Sequence, residues 1–333
     1  MNKEETVRTQ KTFIRAQMIF ILVLVFLFGI YLYVKRPQSP NTPVIERNTL
    51  SISAPTNTFP YLDPDVNINL NQHYIINFAP LEKTFQSIQS NYSDKTYIYF
   101  DYLNNNLWIG SNNTTPFLAA SLVKVPLAMA VLKAVEGGKF SLSQEYTLDQ
   151  LNLNSSFGDL YKVGANNSFT LAQLLQIMLV NSDNTAMNAL YTAMKLAGVS
   201  DPFKDIYTAM GWQFATAGKV PSYNKIDLDT LSNMFISLYE GTYDTPQDSN
   251  LILKYLDDSP FNDAIVAGVP ENIGVSHKIG TDDPDLTYRD CGIVYVPQRN
   301  YLLCVGSVGA NQAVANQFMA DISKAAYDYV TNN

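Results

Sequence analysis

Three short clusters hold the residue types that acyl-transfer chemistry needs. Ser121-Leu122-Val123-Lys124 opens an apolar segment. Residues i and i+3 of a helix share a face, so the lysine amine can approach the serine hydroxyl. A serine hydroxyl is a weak nucleophile until a neighbouring base takes its proton, and a lysine can be that base if burial lowers its pKa. Asn181-Ser182-Asp183-Asn184 separates two apolar helical runs. Ser and Asp there suit a helix N-cap, and equally a turn offering Ser182 as proton shuttle and Asn184 as amide donor. His277-Lys278-Ile279-Gly280-Thr281 ends an apolar approach. Lys beside Gly in a strand fits close approach of a ligand to the backbone, or a lysine guarding a sheet edge. His277 should face away from Lys278 and reads as a surface or packing residue. A second S-x-x-K, Ser222-Tyr223-Asn224-Lys225, follows Pro221 without an apolar helix and reads as loop.

Composition narrows the chemistry. The 333 residues include two histidines and two cysteines, Cys291 and Cys304. Four-cysteine zinc sites are excluded by count, and a two-Cys, two-His site by spacing. With so few histidines, the general base of an enzyme would be Lys, Asp or Glu. No Gly-rich phosphate loop is present, and neither a cofactor nor a metal is expected. Residues 1–36 carry +4 of a formal net charge of -8, leaving -12 on the rest. An acidic body without a basic stripe argues against nucleic acid as partner.

The elements that must position these clusters follow from periodicity. Leu81, Phe85 and Ile88 share a helix face. Residues 96–102 and 106–110 read as a hairpin turning at Asn104-Asn105. Helices are predicted over 120–135, over 171–180 behind an N-cap at Thr170, and over 184–196, 230–239 and 250–256. Strands are predicted over 275–278, 291–296 and 301–308. Val314, Phe318, Ile322, Ala325 and Tyr329 place a stripe on a C-terminal helix. Strands at both ends of the body with helices between them imply an α/β (α+β) architecture: one antiparallel sheet built from both chain ends and a helical insert. A four-residue loop 297–300 would set Cys304 opposite Ile293 and leave Cys291 diagonal, a long reach for a disulfide; a one-step register shift at both ends would put the cysteines opposite each other. A disulfide and two buried thiols both remain open.

Residues 18–34 are 17 residues without charge or amide. They can just span a bilayer core, and no small-residue cleavage site follows. Basic residues before the run favour a cytoplasmic N-terminus. The expected organisation is a cytoplasmic tail (1–17), a single transmembrane anchor (18–34), a Pro-rich extracytoplasmic linker (35–75) and a catalytic domain (76–333).

In order, and 61 and 96 residues apart, the three clusters resemble the S-x-x-K, S-D-N and K-[ST]-G motifs of the penicillin-recognising serine enzymes, the class A β-lactamases and related D,D-peptidases. The resemblance spans about residues 80–330. It implies a β-lactamase/transpeptidase-like fold with an all-helical subdomain, and a serine hydrolase acting on β-lactams or on D-Ala-D-Ala-type ends of peptidoglycan stem peptides. Ser121 resembles the acylated nucleophile and Lys124 its base. Ser182 would relay a proton to the leaving nitrogen, and Asn184, Gly280 and Thr281 would bind substrate. Lys278 would polarise Ser182 and attract the substrate carboxylate. The backbone N–H groups of Ser121 and Thr281 would form the oxyanion hole. Three departures stand out: Ile279 replaces the hydroxyl residue, Arg289 lies out of register for a carboxylate-binding arginine, and residues 213–228 contain no Glu to activate water. Asp227 is the sole carboxylate there, and slow deacylation is expected.

Overall fold

The computed structural model describes residues 74–211 and 225–333. The expected tail and anchor, nearly all of the linker, and most of the Glu-free segment lie outside the described residues. No helix among the described residues is long and apolar enough to cross a membrane.

The chain enters through α1 (Ala79–Gln89) into β1 (Lys95–Tyr102) and β2 (Leu107–Ser111). Short β3 (Phe117–Leu118) leads into a 3-10 turn, Ala120–Val123, and then α2 (Lys124–Glu136). The insert continues through β4 (Glu145–Thr147), β5 (Ser168–Thr170), α3 (Leu171–Val180), α4 (Asn184–Leu196), α5 (Lys204–Ala209), β6 (Lys225–Ile226), α6 (Leu228–Glu240) and α7 (Pro246–Asp257). The chain then returns to the sheet as β7 (Val275–Asp282), β8 (Thr287–Val294) and β9 (Tyr301–Val308), and closes with α8 (Gln312–Asn332).

The main sheet is antiparallel in the order β2-β1-β9-β8-β7, so both chain ends build it and β7 is an edge. Its faces carry separate apolar cores. In β1 the two-residue period sends Ile98, Phe100 and Tyr102 toward the α1 and α8 side, and Tyr97 and Tyr99 toward the helical insert. β8 and β9 are buried on both faces; β9 reads as a near-continuous apolar run, whereas β8 carries the buried polar residues Thr287, Arg289 and Asp290. From Val125 to Leu132 α2 is apolar and buried on every side because α3, α4, α5 and α7 pack around it. Thr170 caps α3 as predicted, within a capping box with Gln173.

The strand expected over 291–296 runs instead over Thr287–Val294, and two further details differ from expectation. The buried stripe of α8 is Ala315, Phe318, Met319, Ile322, Ala326 and Val330, and Val314 is exposed. The helix is turned about one position because it packs on the 266–268 turn as well as on the sheet, with Ser323 Oγ donating to Ile265 O at 2.7 Å. The β8–β9 connection spans six residues rather than four. Tyr295 leaves the ladder to donate its N–H to Gly274 O at 3.0 Å, so Val294 pairs with Tyr301. That shift puts Cys291 opposite Cys304, and they form a disulfide.

Candidate active site

Ser121 sits in the 3-10 turn just before α2, one turn earlier than a simple helix N-terminus would place it. Ala120 enters that turn at φ 47°, a left-handed conformation that costs energy for a residue with a β-carbon. Gly280 lets edge strand β7 dock directly on the turn. A Cβ at Gly280 would lie 2.9 Å from both Ala119 O and Leu122 Cγ. The glycine of the third cluster thus fixes the distance between the nucleophile's turn and β7.

Lys124 is fully buried, and its Nζ reaches four oxygens. It lies 2.9 Å from Ser121 Oγ, 2.5 Å from Ser182 O, 2.7 Å from Asn184 Oδ1 and 3.3 Å from Ser182 Oγ. Burial pulls its pKa down to about 7, and the nearby Asp183 carboxylate opposes the fall only in part. A neutral amine has two N–H donors and one lone pair. The two carbonyl oxygens, Ser182 O and Asn184 Oδ1, can only accept, so they take the two donors. The lone pair is left for the Ser121 hydroxyl proton.

The Ser182 turn is held from outside the three clusters. Ser182 is buried with φ 54°. Asp183 caps α4 by accepting from Ala186 N at 2.9 Å, so the N-cap reading is correct for this residue and coexists with the site. Its other oxygen accepts from Leu160 N at 2.9 Å, and Gly158 presses so closely on this carboxylate that no side chain fits there. Asn184 N donates to Phe157 O at 3.0 Å, and Asn154 N donates to Thr185 Oγ1 at 2.9 Å. Segment 152–160 therefore clamps the turn. Sequence reading missed it, since a lone glycine among polar residues carries no distinctive pattern.

Lys278 lies opposite Cys291 on β7, beside the disulfide. It is buried, with its pKa pushed well below the usual lysine range by burial and then by the Lys124 charge. Its Nζ has no hydrogen-bond partner among the described residues. The contact to Ser182 that the resemblance implies is therefore not made; the Phe261 ring centroid lies 5.6 Å from the amine instead. Ile279 and Thr281 are half-buried along the same edge strand.

Neighbouring residues take other duties. His277 is buried against the opposite sheet face, its Nδ1 2.8 Å from Asp290 Oδ1, so of the two roles open to it packing is correct. Arg289 stands opposite Gly280 but turns under the nucleophile's approach. It donates to Leu118 O at 3.0 Å, and its guanidinium lies 4.0 Å from the Phe117 ring centroid. Burial lowers its pKa to about 10. Asp227 accepts from Thr230 N at 2.8 Å and caps α6. Among the described residues no group of three His, Cys, Asp or Glu side chains could hold a metal ion.

A serine hydroxyl 2.9 Å from a buried lysine amine, at the edge of an antiparallel sheet, is the arrangement of a serine acyl-transfer enzyme. Residues 80–330 match the β-lactamase enzyme family, and the chain belongs to it; it is a serine hydrolase of that family. The β-lactamase VEB-1 of Pseudomonas aeruginosa is 23% identical over 249 residues, 66% of this chain and 80% of that protein. The structure of PBP-A superposes with a TM-score of 0.69 at 20% identity, covering 79% of this chain and all of that one. A β-lactamase from Sphaerobacter thermophilus gives 0.67 at 21% identity, covering 78% and 99%.

Proposed function

We propose that this protein is a membrane-anchored serine hydrolase, acylated at Ser121 by β-lactams or by D-Ala-D-Ala-type amides of peptidoglycan stem peptides, and slow to release the acyl group. The observation that carries the reading is the buried Lys124 Nζ at 2.9 Å from Ser121 Oγ. Ser121 Oγ attacks the amide carbonyl carbon as its proton passes to Lys124 Nζ. The oxyanion forms against the backbone N–H groups of Ser121 and Thr281, each such donor typically worth about 3 kcal/mol. The C–N bond then breaks, and the leaving nitrogen takes its proton through Ser182. Asn184, Gly280 and Thr281 line the substrate's path, and Lys278 receives its carboxylate. Water hydrolyses the ester in the last step. A mutant of PBP-A, at 20% identity and a TM-score of 0.68, has been captured as an acyl-enzyme with penicillin G, in keeping with this reading.

A D,D-carboxypeptidase or transpeptidase role is favoured over efficient β-lactam destruction by one observation. Residues 213–228 hold no Glu, and Asp227 is spent on capping α6. A non-catalytic wall-binding module of the same fold would have no use for a Lys124 so placed. In the proposed arrangement residues 18–34 anchor the chain, the N-terminus is cytoplasmic and the catalytic domain lies outside.

Incubation with a fluorescent penicillin tests the reading. A covalent adduct on the wild type that is lost in Ser121→Ala supports it, and no Ser121-dependent adduct sinks it. Adduct lifetime separates a β-lactamase (short) from a peptidase (long). Protease accessibility in intact cells tests the orientation.

A further inference from the structure

Two phenylalanines join the walls of the site. Phe157 belongs to segment 152–160, and its carbonyl is bonded to Asn184 N. Phe261 lies between α7 and β7. Their ring centroids are 5.8 Å apart with planes at 50°, and Phe261 also faces the Lys278 amine. The pair thus spans from the wall of Ser182 and Asn184 to the wall of Lys278. Lys278 is only 1% exposed, and its Nζ has no hydrogen-bond partner among the described residues.

A carboxylate must come within about 2.7–2.9 Å of an ammonium nitrogen to pair with it. With Lys278 sealed, no ligand carboxylate can do so until the cover moves. A cavity of about 530 Å³ borders both rings and is lined as well by Leu160, Ile177, Asn181 and Pro260. It is large enough to receive a displaced phenyl ring.

We propose that Phe261 is a displaceable cap on Lys278 and a specificity-determining residue, one that yields to a substrate carrying a carboxylate and stays in place for its uncharged counterpart. The physical reason is an exchange of partners. A ring facing an amine is a weak partner, whereas a carboxylate makes a charge-assisted hydrogen bond in a water-poor site. An anion recovers the loss of the ring contact, and a neutral group does not. The substrate selectivity part rests on the acyl-transfer reading above; the cap itself does not.

Two measurements on the full-length protein test it. In the first, brief treatment with acetic anhydride is followed by peptide mass spectrometry. Acetylation of Lys278 is expected to rise about tenfold or more in Phe261→Ala over wild type, with exposed lysines such as Lys139 as internal reference. Equal labelling in both overturns the cap. In the second, acylation rates are compared for a penicillin and its methyl ester. Phe261→Ala should raise the rate for the carboxylate about fivefold and leave the ester within about twofold. An equal rise for both, or none, overturns the selectivity. Phe261→Leu keeps apolar cover without the ring and should fall between the two, with thermal melting confirming that each variant is folded. Labelling that rises while no protein forms an adduct supports the cap and counts against the acyl-transfer reading alone.

Discussion

Two buried lysines face each other across the site, and they are satisfied in opposite ways. Lys124, at the start of α2, is surrounded by oxygens from the Ser121 and Ser182 turns. Lys278, on β7, has a phenyl ring and, among the described residues, no hydrogen bond. Burial lowers the pKa of both. The hydrogen bonds of Lys124 decide where its lone pair points, which a proton acceptor requires. The lack of them at Lys278 leaves its capacity free for a ligand. Each lysine is therefore organised for a different partner: a proton inside the protein, and an anion from outside.

Replacing each lysine with a similarly sized apolar residue breaks this comparison most directly. Lys124→Met should cut the acylation rate by about 10³-fold, the scale of general-base catalysis, measured by penicillin adduct formation. It should also destabilise the fold by about 1–3 kcal/mol, because Ser182 O and Asn184 Oδ1 lose their donor. A near-normal rate would remove Lys124 from the role of base. The next effect concerns only the β7 wall. Replacing Cys291 and Cys304 together with alanine should cost about 3 kcal/mol in a denaturant melt, because the disulfide closes a short loop behind Lys278. The pH dependence set by Lys124 should survive in that variant.

Lys278→Met should slow acylation by a carboxylate-bearing β-lactam about 10–100-fold through weaker binding. Its stability should move oppositely to that of Lys124→Met, rising by about 1–2 kcal/mol as an unpartnered buried amine is removed. If both variants lost stability alike, the contrast between the two lysines would fail. The smallest effect is on pH. Acylation needs neutral Lys124, so its rate should fall about tenfold per unit below a pKa of about 7 and level off above it. Because the folded site releases this proton below the ordinary lysine value of 10.5, Lys124 binds fewer protons folded than unfolded between those limits. Its contribution to stability therefore improves as pH rises through that window. A flat profile between pH 5 and 8 would argue for a different base.

The legible parts were those coded by local pattern. Periodicity located α3 and α4 to the residue, and β9 likewise, because capping residues and apolar spacing act over a few positions. Ser121 and Lys124 were visible because one helical turn is enough to bring them together. The clamp around Ser182 was not, because Gly158, Phe157 and Asp183 meet only after segment 152–160 folds onto α4. The disulfide turned on the β8–β9 register, in which Val294 pairs with Tyr301 while Tyr295 N bonds Gly274 O just before β7, a pairing that depends on a segment distant from the hairpin.

The sequence by itself determined the chemical inventory: a serine nucleophile with a lysine base one turn away, only two histidines, and an apolar run before an acidic body. Tertiary structure decided what each group does. It buried both lysines, assigned oxygens to one and a ring to the other, and turned Arg289, His277 and Asp227 to packing and capping. The reason is that charge state and hydrogen-bond partners depend on burial and on residues far away in the chain, and neither is encoded in local spacing.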